Sequence, residues 1–225
     1  MSRALVIFSG GQDSTTCLAW AKNRFEQVEA ITFFYGQTHE IEIQQAKKIA
    51  LTLGVPHHLM DISFYKSMVH SVLTGDAGNI NDQHPDNPDL PASFVPNRNA
   101  LFILLAHSFA QTIKASTLIA GLCQTDYSGY PDCRENFAKA MMQALNLGAD
   151  TQVELKTPLM FLTKAETFAL AAAEGVLELV VKESHTCYQG SAQMHPWGRG
   201  CDACPACGLR KKGYHEFMHM KEQHG

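Results

Sequence analysis

The sequence predicts an α/β fold, a parallel sheet covered by helices on both faces in a Rossmann-like arrangement, with a small C-terminal extension. Three observations predict it. Near the start an apolar run breaks into "SGGQDS" (9–14) and resumes at helical spacing, which is how a strand, a tight turn and a helix read in sequence. Apolar strand-like runs then alternate with helical patterns, and such alternation builds parallel sheets that bind ligands at the carboxyl ends of their strands. Finally, four of the seven cysteines fall between Cys187 and Cys207, unlike anything earlier in the chain.

The elements follow in order. "ALVIFSGGQDSTTCLAW" (4–20) supplies the first strand, turn and helix. "VEAITFFY" (28–35) reads as a second strand, "EIEIQQAKKIALTLG" (40–54) as an amphipathic helix ended by glycine, and "HHLMDI" (57–62) as a third strand. Residues 74–96 are rich in Gly, Asn, Asp and Pro, too polar and broken for a core element, and loops of this length are usually functional. "NALFILLAHSFAQTIKA" (99–115) reads as a largely buried helix, "STLIAG" (116–121) as a fourth strand and "ENFAKAMMQALNLG" (135–148) as a helix capped by Gly148. "QVELKTPLM" (152–160) and "TKAETFALAAAEG" (163–175) add a strand and a helix. We expect residues 1–183 to form the nucleotide-binding catalytic domain and 184–225 a metal-binding extension packed on it.

Composition narrows the function classes. With 225 residues, 45% hydrophobic and 18% charged, the chain suits one soluble globular domain. A net charge of −4 gives no global reason to expect nucleic acid as a partner. No run approaches the roughly 18 apolar residues of a membrane span. The opening "MSRALVIF" lacks a signal-peptide pattern, so a cytoplasmic location is expected, and in a reducing compartment clustered cysteines point to metal before disulfide.

The glycine-rich turn offers specific chemistry. Gly10 and Gly11 let the backbone approach a ligand, and the helix start that follows presents unpaired N–H groups and a positive dipole end, which together bind anions. Ser9 and Ser14 add hydroxyls, and Asp13 can hold a divalent cation. The lysine of the Walker A loop is missing and the dinucleotide fingerprint is not matched. An ordinary strand-to-helix turn is the plain alternative, but the whole string "SGGQDS" resembles the PP-loop, S-G-G-x-D-S, of ATP pyrophosphatases. That resemblance implies ATP held along Phe8, Ser9, Gly10, Gly11, Gln12, Asp13, Ser14, Thr15, Thr16, Cys17 and Leu18, with AMP and pyrophosphate as products. Lys164, in "TPLMFLTKAE" (157–166), matches a later family segment that neutralises phosphate charge; taken alone it reads as a solvated helix residue.

The spacing Cys187-x13-Cys201-x2-Cys204-x2-Cys207 suits tetrahedral Zn²⁺, closed by four protein ligands and therefore structural. An iron–sulfur cluster can use the same ligand set. His185, His195 and His215 flank the cysteines as alternative ligands, with packing or surface roles as the simpler reading. Arg210, Lys211 and Lys212 keep a nucleic-acid-binding zinc ribbon open as an alternative.

Two segments, "SFVPNRN" (93–99) and "GLCQTDYSGYPDCR" (121–134), bring hydrogen-bonding and aromatic groups to the same end of the sheet, although each alone is explained as a well-capped loop. Taken in order, "FSGGQDSTTC", "FVPNRN", "TDYSGYPDCR", "TPLMFLTKAET" and "HTCY…GCDACPACGLRKKGY" resemble the motifs of the QueC family of queuosine biosynthesis, the 7-cyano-7-deazaguanine synthases, over essentially the whole chain. The resemblance implies a carbon–nitrogen ligase acting on 7-carboxy-7-deazaguanine, ammonia and Mg²⁺-ATP, one structural Zn²⁺ per subunit, a homodimer, and no direct nucleic-acid or membrane partner. It implies catalytic roles for Asp13, Ser14, Lys164 and Arg98, and a substrate pocket drawn from Asn97, Arg98, Asp126, Tyr127, Tyr130, Asp132 and Arg134. Where Asn97 stands the family often has glycine, a position asparagine accepts in a left-handed conformation. Another PP-loop adenylating enzyme working on a deazapurine, whether forming an amide, modifying tRNA or conjugating protein, is the alternative within the same fold.

Overall fold

The computed structural model describes residues 2–37, 41–75, 78–84, 87–125 and 129–224. In chain order the elements are β1 (Arg3–Ile7), α1 (Gln12–Lys22), β2 (Gln27–Phe34), α2 (Ile41–Thr52), β3 (His57–Asp61), β4 (Gln83–His84), β5 (Asn87–Pro91), α3 (Arg98–Thr112), β6 (Thr117–Ala120), α4 (Glu135–Ala149), β7 (Glu154–Lys156), α5 (Lys164–Ala173), α6 (Leu177–Glu183), β8 (Met194–His195), β9 (Gly198–Arg199) and α7 (Pro205–His224). Five strands form one parallel sheet in the order β3-β2-β1-β6-β7. The expected α/β class and most element positions are therefore the observed ones.

The sheet is buried on both faces because its strands are apolar at successive positions. In β1 Leu5 packs with Ile103, Ala106 and Ala110 of α3 and with Ala138 and Met142 of α4. Ala4 and Val6 point the other way, into Cys17 and Leu18 of α1 and Ala46 and Ile49 of α2. β6 repeats the division, with Leu118 and Ala120 on the first face and Ile119 on the second. This period of two across a fully buried strand requires apolar residues at every position.

Three local expectations are corrected. Helix α4 continues past Gly148 to Ala149 and is capped by Asp150, whose φ of 51° takes the left-handed position that glycine usually fills. The turn beyond is tied by the Asn146 side chain, which accepts from the Val153 N–H at 3.0 Å and from the Thr151 hydroxyl at 2.9 Å. The strand expected over 152–160 is only Glu154–Lys156, because Pro158 has no N–H to give and the chain turns, with the N–H of Met160 donating to the carbonyl of Thr157. Within 74–96 the chain does form structure, the short antiparallel pair β4–β5.

Helix α5 begins with a capping box. Thr163 Oγ1 accepts from the Glu166 N–H at 3.2 Å, and Glu166 Oε2 accepts from the Thr163 N–H at 2.7 Å. This places Lys164 at the first helical position, where α7 packs closely on it: a Cβ at Gly213 would lie 2.3 Å from Lys164 Cβ. We predict that Gly213→Ala overpacks this contact and destabilises the chain by about 1–3 kcal/mol, seen as a lower urea midpoint at unchanged m value.

Candidate active site and metal centre

Strand β1 lies between β2 and β6, so the chain leaves it toward one edge of the sheet and later returns to its other side. At such a switch point the loops after the two central strands part and leave a crevice. A cavity of about 790 Å³ occupies this place, lined by Phe8, Ser9, Gly11, Gln12, Asp13 and Ser14 after β1 and by Gly121 and Leu122 after β6.

The turn after β1 is ordered by its own side chains. Ser14 Oγ accepts from the Ser9 N–H at 3.2 Å and lies 3.1 Å from Ser9 Oγ, and Ser9 Oγ accepts from the Gly11 N–H at 3.3 Å. Gly10 has φ of 80°, and a Cβ there would come within 2.8 Å of the Ala46 nitrogen and the Glu42 carbonyl oxygen, so only glycine lets α2 pass beside the loop. Thr15, Thr16, Cys17 and Leu18 continue into the core and away from the cavity. The loop therefore offers serine hydroxyls and the first N–H groups of α1, a cradle for an anion.

Asp13 and Lys164 meet directly, Nζ to Oδ2 at 2.6 Å, while Asp13 Oδ1 is buried with no hydrogen-bond partner among the described residues. Across the cavity Arg98, the first residue of α3, donates to Tyr35 Oη at 3.3 Å with its guanidinium 5.7 Å from the Tyr35 ring centre. Burial alone would lower this guanidinium, but the phenols of Tyr35, Tyr130 and Tyr188 and the carboxylate of Asp132 outweigh it and hold it above its ordinary range. Glu42, on the first turn of α2, also lines the wall; burial pushes its carboxyl up to about 7 against the pull of Arg98.

The expected substrate residues divide. Arg98 is on the cavity wall; Asn97, Tyr130, Asp132 and Arg134 stand off it. Asn97 has φ of 56° and caps α3 in the anticipated left-handed conformation. Asp132 accepts from the Asn99 N–H at 3.1 Å, placing a carboxylate at the positive end of α3, and its Oδ1 is buried with no hydrogen-bond partner among the described residues. Tyr130 supports the wall from behind, with Oη 2.6 Å from Ser93 Oγ and 3.3 Å from Tyr188 Oη. Arg134 is exposed at the start of α4. Asp126 and Tyr127 lie outside the described residues. Sequence reasoning missed Tyr35, Glu42, His185, Thr186 and Tyr188 as wall residues. "HTCY" (185–188) stands in a motif where His185 and Cys187 read as metal ligands and not as cavity wall, and Glu42 sits in an amphipathic helix with no motif to single it out.

Cys187, Cys201, Cys204 and Cys207 converge, all four sulfurs lying within 4.8 Å of one another. Sulfurs 2.3 Å from one tetrahedral ion stand about 3.8 Å apart, and Cys201 and Cys207 are separated by 3.9 Å, so the donor set fits a metal ion. Hydrogen bonds from Cys204 and Cys207 hold the Cys187 thiol well below its usual range and push their own thiols up. Among the described residues no histidine joins them. His195 stacks on Trp197 at 4.5 Å, His185 is buried against the phosphate loop and His215 packs beside Tyr214. The basic run divides: Arg210 is buried, while Lys211 and Lys212 are exposed and pair with Asp202 at 2.9 Å and with Glu216 at 3.8 Å.

The model of the family described as queuosine biosynthesis protein QueC matches residues 3–218. The chain belongs to the QueC family. This QueC-family chain is 51% identical over 215 residues to a 7-cyano-7-deazaguanine synthase of Helicobacter pylori, covering 95% of the chain and 96% of that protein. It is 45% identical over 221 residues to the synthase of Lysinibacillus sphaericus, covering 98% of each. Among solved structures, a 4-thiouridine synthetase determined with RNA and bound ATP superposes with a TM-score of 0.52 at 15% identity, covering 99% of this chain and 53% of that one, which shows a shared fold.

Two outcomes follow from the site. Cys204→Ser should remove stoichiometric metal by elemental analysis and lower the melting temperature, whereas retained metal with an unchanged melt would contradict a closed four-thiolate centre. Gly10→Ala should weaken anion binding at the loop and cost more than about 1 kcal/mol of stability, measured by calorimetric titration with pyrophosphate and by urea unfolding.

Proposed function

We propose that the chain converts 7-carboxy-7-deazaguanine, ammonia and ATP into 7-cyano-7-deazaguanine. The observation that carries this reading is the intact SGGQDS loop at the switch point, on the wall of a cavity large enough for nucleotide and base together, in a QueC-family chain. The chemistry requires two activations. A carboxylate is a poor acyl donor because its leaving group would be oxide; attack of its oxygen on the α-phosphate of ATP gives an acyl adenylate and releases pyrophosphate. Ammonia displaces AMP to form the amide. The amide oxygen is adenylated in turn, and loss of AMP and protons leaves the nitrile, so each oxygen of the original carboxylate departs on an AMP.

The roles follow the geometry. Ser9, Gly11, Ser14 and the start of α1 grip the pyrophosphate, with the rest of residues 8–18 shaping the loop. Asp13 would hold Mg²⁺, which would supply charge neutralisation at the phosphates, and Lys164 adds a cation beside it. Arg98 pairs with the substrate carboxylate or the phosphoryl oxygens that replace it. Asp126 and Tyr127 remain candidates for reading the base, with Asn97, Tyr130, Asp132 and Arg134 supporting it. Glu42 accepts the protons that ammonium and the amide must lose. Four thiolates crowded around one point favour a single Zn²⁺, since an iron–sulfur cluster holds its ligands farther apart. Residues 1–183 act as the catalytic body and 184–225 as the metal-bound extension; the homodimer and cytoplasmic location belong to the same family-based reading.

Incubation with 7-carboxy-7-deazaguanine, ammonium and Mg²⁺-ATP should yield nitrile with one AMP for each adenylation by mass spectrometry. ADP as the direct product, or an amide that accumulates without nitrile, would overturn the assignment. A carboxylate works as a base only when ionised, so kcat should rise with pH through about 7 as Glu42 loses its proton. Glu42→Gln should abolish that limb, leave the rise set by free ammonia in solution, and lower kcat by about a hundredfold or more.

A further inference from the structure

Arg210 is only 1% exposed, yet among the described residues no carboxylate forms an ion pair with it. A buried guanidinium without a counter-charge is costly and must be compensated by hydrogen bonds. Arg210 Nε donates to the Trp197 carbonyl at 2.9 Å, Nη2 to the Val180 carbonyl at 2.8 Å and Nη1 to the Ser184 carbonyl at 3.2 Å. Val180 lies in the last turn of α6, where its carbonyl also accepts from the N–H and the hydroxyl of Ser184, so the cation shares an acceptor at the negative end of the helix. One contact is different in kind: Nη1 donates at 3.0 Å to Thr186 Oγ1, and the same oxygen lies 3.4 Å from the N–H of Gln12, the first residue of α1. Beside it the His185 N–H donates to the Gly10 carbonyl at 3.0 Å.

We propose that Arg210 is a positioning residue that holds the phosphate loop through Thr186, so that the cysteine centre sets the geometry in which ATP is gripped. Thr186 directly precedes Cys187, and Arg210 lies one helical turn beyond Cys207 on α7. A metal joining Cys187 to Cys207 therefore ties together the two segments that carry the pair. A hydroxyl oxygen can accept from both donors at once, and Arg210, by fixing the Thr186 rotamer, fixes the direction in which the Gln12 N–H is held. The inference rests on the reading of the loop as an ATP site.

The test is a double-mutant cycle on the full-length, metal-loaded protein. The probe is the α,β-methylene analogue of ATP with Mg²⁺, titrated calorimetrically, with metal content and melting measured alongside. Thr186→Val should weaken binding about tenfold, the size expected for losing one hydrogen bond to a charged site, at unchanged metal content. Thr186→Ser should restore it, and KM for the deazaguanine should not move. Arg210→Lys should weaken binding in the wild-type background and add nothing to Thr186→Val. Wild-type affinity in Thr186→Val, or losses that multiply in the double variant, overturns the positioning role. Thr186→Val leaves Arg210 its carbonyl partners and carries the test alone where Arg210→Lys fails to fold. A wild-type chain that does not bind the analogue removes the ATP reading, and this inference with it.

Discussion

The structure depends on strand β1 having a parallel neighbour on each side. To fill both positions the chain must leave β1 in one direction, through β2 and β3, and come back through β6. The loops after β1 and β6 then diverge at the carboxyl end of the sheet, and nothing in the sheet can fill the gap between them. Every functional element uses that gap. The SGGQDS loop lies on one side, Gly121 and Leu122 on the other, and Arg98 enters from the start of α3, which packs on β1 and β6.

Asp13, Glu42 and Arg98 bring charge to the cavity wall, and Lys164, outside the lining, reaches it through Asp13. Lys164 and Asp13 pair with each other, with only 13% and 26% of their side chains exposed. Separating such a pair is costly unless each charge gains a new partner. A phosphate on Lys164 and a cation on Asp13 would supply one to each. Arg98 differs, because tyrosine phenols surround it and its charge is held by dipoles and a ring face that need not be displaced when an anion arrives.

The features legible in the sequence were those with local causes. The strand–turn–helix of residues 4–20 follows from apolar periodicity and two glycines, and the metal centre from cysteine spacing. Lys164 was placed by its motif, although the Thr163–Glu166 capping box that orients it was there to be read. What stayed hidden was whatever depends on segments distant in sequence. Glu42 is set against the phosphate loop because Gly10 lets α2 approach, and no pattern within "EIEIQQAKK" distinguishes its carboxylate from its solvated neighbours. Arg210 is the sharper case. In "GLRKKGY" three adjacent cations read as one basic patch, but α7 turns the first inward and the other two toward acidic partners. Side-chain direction on a helix separates them, and direction is known only once α7 has something to pack on.

The missing Walker lysine also acquires a physical reason. A lysine that stabilises charge on a transferring γ-phosphoryl serves an enzyme that breaks the β–γ bond. A loop of backbone N–H groups and serine hydroxyls that holds the β- and γ-phosphates serves the opposite division of ATP. There the pyrophosphate is the leaving group, and the α-phosphate must project toward the acceptor. In this chain the cations stand to the side of the loop, Lys164 beside Asp13 and Arg98 across the cavity, instead of within it. Cations so placed would meet the negative charge that develops on the phosphoryl oxygens in the proposed adenylation, and would serve again when the amide oxygen is the nucleophile.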